Sequence, residues 1–194
     1  MTTANKVTIL RILLVPFFIV QVLYYVDTGN ETYRWLAIVS FAIASISDGV
    51  DGYISRRYNQ HSELGKILDP LADKLLLVSG VVLLSLKNEP HLNRIPMWLT
   101  ATILSRDALL ILGLVIIQQV CGKVRVRPVM VGKVATVLQM ACVLWSLLKL
   151  PLHLLFPLAI AAAACTGISG IIYVFDGMRQ LSASPSSSAT APEK

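Results

Sequence analysis

The chain has 194 residues, of which 55% are hydrophobic and only 14% are charged. A soluble domain of this length does not reach such a composition, so the sequence predicts an integral membrane protein. The net charge is +6, but no basic patch is interleaved with base-stacking aromatic residues. This argues against a nucleic-acid partner and favours the anionic headgroups of a lipid bilayer.

The predicted elements are apolar helices. A helix that crosses a bilayer needs about 20 mainly apolar residues. Six stretches meet this length, at roughly 7 to 27, 33 to 55, 68 to 87, 95 to 119, 130 to 149 and 152 to 176. The predicted fold class is therefore an all-α integral membrane protein with six transmembrane helices. We expect residues 1–180 to form one membrane domain, and residues 181–194, rich in Ser, Ala and Pro, to form a disordered cytoplasmic tail.

The orientation of these helices follows from the positions of Lys and Arg, which favour the cytoplasmic side of a membrane. Most of them fall at one set of helix ends, whereas the opposite ends carry only Arg34, Lys87, Arg94 and Lys149. Both termini and the connection between the second and third helices are therefore predicted to be cytoplasmic, as in a bacterial inner membrane or its equivalent.

Four aspartates interrupt the apolar sequence of the second and third predicted helices: Asp48, Asp51, Asp69 and Asp73. A carboxylate at the centre of a membrane helix costs about 2.5–3.5 kcal/mol, so such groups face a cavity, a partner or an ion. On an ideal helix Asp48 and Asp51 share one face, and Asp69 and Asp73 are one turn apart. A short polar turn would bring the two pairs together at the cytoplasmic boundary of the membrane.

The ligand type at this predicted cluster indicates the ion. Oxygen donors without His or Cys suit Mg²⁺, Mn²⁺ or Ca²⁺, and two divalent cations would balance four carboxylates. Paired ions of this kind clamp a phosphate during phosphoryl transfer. Gly52 and Gly65 would let a nucleotide approach the backbone, and Arg56 would neutralise its charge. Structural ion pairs with neighbouring Lys and Arg are the less favoured alternative.

The pattern Asp48-x2-Asp51-Gly52-x2-Ser55-Arg56-x8-Gly65-x3-Asp69-x3-Asp73 resembles the signature of the CDP-alcohol phosphotransferases, integral membrane enzymes of phospholipid synthesis. Ser55 departs from that signature, which usually has alanine at this position. The resemblance extends from Asn5-x2-Thr8-x2-Arg11 through Gly132-Lys133-x2-Thr136-x2-Gln139. It therefore covers most of the predicted membrane region but not the tail.

The resemblance implies a six-helix homodimer with a cytoplasm-facing polar cavity. It also implies a reaction in which an acceptor alcohol attacks the β-phosphorus of CDP-diacylglycerol and CMP leaves. The implied metal ligands, for two Mg²⁺ or Mn²⁺ ions, are Asp48, Asp51, Asp69 and Asp73, with Asp73 also the base that deprotonates the acceptor. The implied CDP-binding residues are Asn5, Thr8, Asp48, Asp51, Gly52, Ser55, Arg56 and Gly65. For Asn5, Thr8 and Arg11, helix capping and topology are as good an explanation as contact with the nucleotide.

The acceptor is predicted from a second group of residues. Arg106 lies inside an apolar stretch and needs an anionic partner, so it is a candidate ligand of an acceptor phosphate together with Arg125, Arg127 and Lys133. The alternatives are that Arg106 pairs with Asp107 or Asp73 and binds no substrate, and that Lys123, Arg125 and Arg127 only set topology.

Two branches of the family compete for the acceptor. The first helix and the segment from Asp69 to Lys74 resemble phosphatidylglycerophosphate synthases, which use glycerol 3-phosphate. The segments Ser105-Arg106-Asp107 and Arg125-Val126-Arg127-Pro128 also resemble the family's cardiolipin synthases, which use phosphatidylglycerol. We favour glycerol 3-phosphate.

A cation transporter is the non-enzymatic alternative, because membrane carboxylates can mark an ion path. The clustering of the acidic residues at one membrane face, with no second acidic site in the opposite half, argues against it.

Overall fold

The computed structural model describes residues 3–58, 63–86, 91–121 and 129–182. Side chains are described for residues 9–47, 72, 74–86, 91–119 and 129–179. The described chain forms six α-helices, which confirms the predicted all-α class. They are α1 (Thr3–Thr28), α2 (Glu31–Tyr58), α3 (Glu63–Ser85), α4 (Met97–Cys121), α5 (Met130–Leu147) and α6 (Leu152–Ser182). Most of the predicted tail, residues 183–194, lies outside the described residues.

Within the part of the chain that the structure describes, four stretches of helix are long and apolar enough to cross a membrane: Ile9–Thr28, Met97–Gln119, Met130–Leu147 and Leu152–Arg179. Large apolar side chains on these helices are exposed, as in Ile111 and Val137, which are both 65% accessible. Such a surface suits hydrocarbon rather than water. For α2 and α3 only part of each helix has described side chains, so six membrane crossings stay a prediction.

The described chain divides into two compact units. Unit 1 falls within Met1–Met97 and Met140–Phe156, and unit 2 within Trp98–Gln139 and Pro157–Lys194. The single domain predicted for residues 1–180 stays a prediction.

Helix α1 is central to the packing of unit 1, where it contacts both α2 and α3. The ring of Phe18 on α1 lies 5.5 Å from the ring of Phe41 on α2, and both side chains are fully buried. On α3, a Cβ atom at Gly80 would lie 3.1 Å from Val143 Cγ1. The glycine therefore allows α3 to approach the C-terminal half of α5 closely.

Glu31 connects several helix ends within unit 1. Its Oε1 accepts a hydrogen bond of 2.9 Å from Lys149 Nζ, after α5, and lies 3.2 Å from the Tyr25 hydroxyl of α1. Its Oε2 accepts a hydrogen bond from Arg34 Nε, one turn further along α2. Arg34 and Lys149, both predicted for the same side of the membrane, thus share one carboxylate. Which side of the bilayer this is stays a prediction.

Two residues with positive φ terminate helices in unit 1. Gly29 follows α1 with φ 68°, and a Cβ atom there would lie only 2.8 Å from His91 Cε1, so a larger residue would strain the backbone and require the His91 ring to shift. Lys149 follows α5 with φ 54°. Its N–H donates to Ser146 O and the next N–H, of Leu150, donates to Trp145 O, which is the Schellman pattern. A non-glycine residue in this conformation costs about 1–2 kcal/mol, and the Lys149 side chain there also contacts Glu31.

The Glu31 cluster predicts an acid-sensitive contribution to stability. The hydrogen bond from Lys149 holds the pKa of Glu31 below its ordinary value of 4.5, and Arg34 lowers it further. A carboxyl whose pKa is lowered in the folded state stabilises that state above the unfolded pKa, and this contribution is lost as the pH falls through the folded pKa. We expect Glu31→Gln to lower the thermal unfolding temperature at neutral pH and to weaken its decline below about pH 4.5.

The measurement is thermal unfolding of the full chain in detergent from neutral pH to below 4.5, with Asp27→Asn as a matched control. Asp27 is an exposed carboxyl near the end of α1. An unchanged acid slope in Glu31→Gln would contradict the role given to this cluster.

Candidate functional site

The four predicted metal ligands lie on two continuous helices. Asp48 and Asp51 belong to α2, and Asp69 and Asp73 belong to α3. Each pair therefore has the helical spacing that the sequence analysis assumed. The side chains themselves lie outside the described set, so the convergence of the carboxylates stays a prediction. The same holds for Gly52, Ser55 and Arg56 on α2 and for Gly65 on α3.

The buried faces of both helices lead toward these positions. On α2, Ala37, Phe41 and Ala44 are fully buried, and the next positions in this helical series are 48, 51 and 55. On α3, Leu84, Leu77 and Leu76 are at most 3% exposed. Counting back from them by three or four residues reaches positions 73 and 69. The helical register thus places the aspartate positions in line with the faces that pack in unit 1.

Helix α1 contributes a buried cation, Arg11, for which the sequence left topology and a nucleotide contact as equal alternatives. Arg11 is only 1% exposed and shares the buried face of α1 with Val15 and Phe18. Thr8 lies three residues earlier in the same series; its side chain and that of Asn5 lie outside the described set. Burial of a guanidinium is costly unless anionic or polar groups compensate it. Arg11 continues the spacing Asn5-x2-Thr8-x2-Arg11, and its contact with a nucleotide stays a prediction.

No metal site is present among the side chains that the structure describes, where no three His, Cys, Asp or Glu residues come together. The four predicted ligands are not part of that set. Their chemistry nevertheless fits the proposed ions, because two helices each supply two carboxylates one turn apart, and oxygen donors are preferred by Mg²⁺ and Mn²⁺.

Unit 2 contains a buried ion pair on α4. Arg106 Nη1 donates a hydrogen bond of 2.8 Å to Asp107 Oδ1, and the two side chains are 13% and 11% exposed. The structure therefore shows the pairing of Arg106 with Asp107 that one alternative expected. Arg106 Nε is also buried and has no hydrogen-bond partner among the described residues. The N–H at Nε is thus a donor without an acceptor among the described residues, and it could bind a further anionic ligand.

Arg106 also meets the other helices of unit 2. Its guanidinium carbon lies 5.7 Å from the ring centroid of Tyr173 on α6. A Cβ atom at Gly132 on α5 would lie 3.2 Å from Arg106 Nη2, and one at Gly170 on α6 would lie 3.3 Å from its Cγ. The arginine therefore packs directly against the backbone of both helices. Neither glycine nor Tyr173 was singled out as a site residue by the sequence analysis.

A cavity of about 360 Å³ borders this arginine between α4 and α6. Its lining is mostly apolar, and its polar groups come from Thr102, Ser105 and Arg106. Lys133 lies on the first turn of α5 and is exposed. The structure thus brings Arg106 to the beginning of the helix that carries Lys133. Arg125 and Arg127 lie outside the described residues, so their predicted place in this basic group is not tested.

Comparison with known proteins supports the resemblance noted from the motif. The sequence model of the family described as CDP-alcohol phosphatidyltransferase matches residues 1–172. A Mycobacterium tuberculosis protein named probable phosphatidylglycerophosphate synthase is 34% identical over 182 residues, which are 92% of this chain and 82% of that protein. The CDP-diacylglycerol–glycerol-3-phosphate 3-phosphatidyltransferase of Bacillus subtilis is 36% identical over 165 residues, or 80% and 82% of the two chains.

A relative with a different name covers less of the chain. The CMP-forming cardiolipin synthase of Streptomyces coelicolor is 34% identical over 119 residues, which are 61% of this chain and 53% of that protein.

The buried pair on α4 predicts unequal effects of single and double substitutions. Removal of one partner of a buried pair leaves an uncompensated charge, whereas replacement of both by apolar groups is close to neutral. We expect Arg106→Met to destabilise the protein by about 3 kcal/mol, and the double variant Arg106→Met/Asp107→Leu to recover most of that loss. Unfolding in denaturant, monitored on the full chain in detergent, measures both. If the double variant is no more stable than Arg106→Met, the unpaired charge of Asp107 is not the cause of the lost stability.

Proposed function

The chain belongs to the CDP-alcohol phosphatidyltransferase family, and we propose that it transfers a phosphatidyl group from CDP-diacylglycerol to glycerol 3-phosphate, with release of CMP. The observation that carries this proposal is the family match over residues 1–172, joined by relatives of that name which align over most of both chains. Membership in a transferase family also favours an enzyme over the cation transporter.

The proposed chemistry assigns the donor half of the reaction to α1, α2 and α3. Two divalent cations, Mg²⁺ or Mn²⁺, would be held by the four aspartates and would offset the charge of the diphosphate. The CDP moiety would be bound by Asn5, Thr8, Gly52, Ser55, Arg56 and Gly65. Support comes from the helical backbone of α2 and α3, whose buried faces continue in register to the aspartate positions.

Asp73 is the proposed base. Its carboxylate takes the proton of the acceptor hydroxyl, the acceptor oxygen forms a bond to the β-phosphorus, and the bond from that phosphorus to the CMP oxygen breaks. CMP leaves with the electron pair of that bond. Asp73 can serve in this way only if it reaches the hydroxyl directly or through one water.

The acceptor phosphate is assigned to Arg106 and Lys133, together with Arg125 and Arg127. The support is the state of Arg106, a guanidinium among apolar helices that has one charged partner and a buried Nε with no hydrogen-bond partner among the described residues. An anionic ligand would satisfy that donor. The pair with Asp107 does not exclude this role, because a guanidinium has five N–H donors.

We also propose that all six helices cross the membrane, that the aspartate-bearing ends of α2 and α3 face the cytoplasm, and that the enzyme is a homodimer. The asymmetric placement of Lys and Arg supports the orientation. Arg34 and Lys149, predicted for the opposite side, do meet at one end of unit 1. The dimer rests on the family resemblance.

Phosphatidylglycerol is the competing acceptor, favoured by the similarity to a cardiolipin synthase. An acceptor screen separates the two. We expect purified protein, supplied with CDP-diacylglycerol and Mg²⁺ or Mn²⁺, to release CMP when glycerol 3-phosphate is added and not when phosphatidylglycerol is added. The reverse preference would make the protein a cardiolipin synthase. CMP release with neither acceptor, with either metal, would overturn the proposed transfer.

The assignment of the base predicts a strong kinetic effect of Asp73→Asn. A positioned general base contributes about 10²–10⁴-fold to a rate, so we expect kcat to fall by a factor in this range. CDP-diacylglycerol should still protect the variant against thermal unfolding, because three of the four carboxylates remain. The assay is CMP release under saturating substrates, with Asp27→Asn as the control carboxyl. A near-normal kcat in Asp73→Asn would remove this residue as the base.

A further inference from the structure

Tyr173 lies where α4, α5 and α6 of unit 2 meet, and it contacts both of the other helices through different parts of its side chain. We propose that Tyr173 is a positioning residue, which holds Arg106 and the beginning of α5 in a fixed relation so that acceptor phosphate can bind. This inference rests on the proposed function, because it takes the basic group around Arg106 as the acceptor site.

The hydroxyl of Tyr173 holds the beginning of α5. It accepts a hydrogen bond of 3.2 Å from the backbone N–H of Val129, the residue directly before the helix. The carbonyl of Val129 in turn accepts a bond of 3.0 Å from the N–H of Gly132 in the first turn. Val129 is thus the capping residue, and its own N–H would otherwise need water or another acceptor. Lys133 lies one residue beyond Gly132, so this bond fixes the turn that carries a proposed acceptor ligand.

The ring of Tyr173 holds Arg106. The guanidinium carbon lies 5.7 Å from the ring centroid, within the range of a cation–π interaction. Asp107 fixes the guanidinium from another direction through the 2.8 Å bond to Nη1. With the ring and the carboxylate both in place, Arg106 has little freedom to turn, and its buried Nε keeps a defined direction.

The close approach of these groups depends on a glycine. A Cβ atom at Gly132 would lie 3.2 Å from Arg106 Nη2 and 3.5 Å from the Tyr173 hydroxyl. The contact with Arg106 Nη2 is tight, so a methyl group would displace the guanidinium by a few tenths of an ångström, whereas 3.5 Å from the Tyr173 hydroxyl is an ordinary van der Waals contact. Gly132 is therefore part of the same arrangement, and Gly132→Ala offers a test that leaves Tyr173 unchanged.

Two substitutions separate the contacts of Tyr173. Tyr173→Phe removes the acceptor of the Val129 N–H and keeps the ring, whereas Tyr173→Leu removes both. We expect the apparent KM for glycerol 3-phosphate to rise about fivefold in Tyr173→Phe and on the order of twentyfold in Tyr173→Leu. Gly132→Ala should raise the same constant. The KM for CDP-diacylglycerol should change less than about twofold in all three variants. The substitutions weaken only the binding of the acceptor, which is felt equally in the ground state and the transition state.

The control is Tyr24→Phe. Tyr24 is an exposed tyrosine of unit 1 whose ring stacks on Tyr33 at 5.5 Å, and it has no role in the proposed site. This variant should leave both KM values unchanged. Unaltered acceptor KM in Tyr173→Phe and Tyr173→Leu would overturn the positioning role. So would an equal rise in both KM values, since that is the result of a merely structural defect.

A binding measurement keeps this inference distinct from the proposed reaction. Glycerol 3-phosphate alone, without CDP-diacylglycerol, should raise the thermal unfolding temperature of the wild-type chain and should do so less in Tyr173→Leu. If the wild type binds glycerol 3-phosphate in this Tyr173-dependent way but releases no CMP, the proposed transfer fails and the positioning role stands. If the wild type neither binds it nor turns it over, both are overturned.

Discussion

A charge among apolar helices persists only where another group compensates it, and this constraint organises the chain. The pair formed by Arg106 and Asp107 on α4 shows the compensation directly, at 2.8 Å and with both side chains largely buried. Arg11 on α1 is also subject to this constraint, because the residue is only 1% exposed. Buried charges of this kind do little for net stability, because desolvation consumes the attraction. Stability alone therefore does not account for their presence.

Charges at the helix ends of unit 1 follow a different rule. Glu31 is exposed, and so its contacts with Lys149 and Arg34 form in a medium that screens them. These contacts therefore contribute little to the free energy of folding, and their main effect is to hold helix ends in position. The cluster ties the start of α2 to the turn after α5, where Lys149 adopts a conformation that a side chain rarely takes. Ionic contacts at the helix ends of unit 1 thus connect neighbouring helices, whereas the charged side chains among apolar helices are candidate ligands of substrate.

The helices could be predicted from the sequence because apolar length is a strong signal, but their ends could not. The apolar pattern predicts a second helix from roughly residue 33, whereas α2 begins at Glu31. The reason is local capping. Gly29 ends α1 at positive φ, and Asn30 Oδ1 accepts a hydrogen bond of 3.0 Å from the N–H of Thr32. A search for apolar residues passes over this polar first turn, although Asn is among the residues that best cap a helix.

The residues of the candidate site also fall into those that the sequence singles out and those that it does not. Arg106 and the aspartates could be predicted because a charge in apolar sequence stands out without any knowledge of the fold. Tyr173, Gly132 and Gly170 could not, because an aromatic or a small residue in a membrane helix is ordinarily a packing residue. What distinguishes Tyr173 is a pair of contacts, with Arg106 and Val129, that join residues far apart in the chain. Sequence therefore identifies the groups that carry charge, and only the tertiary structure identifies the neutral groups that contact them.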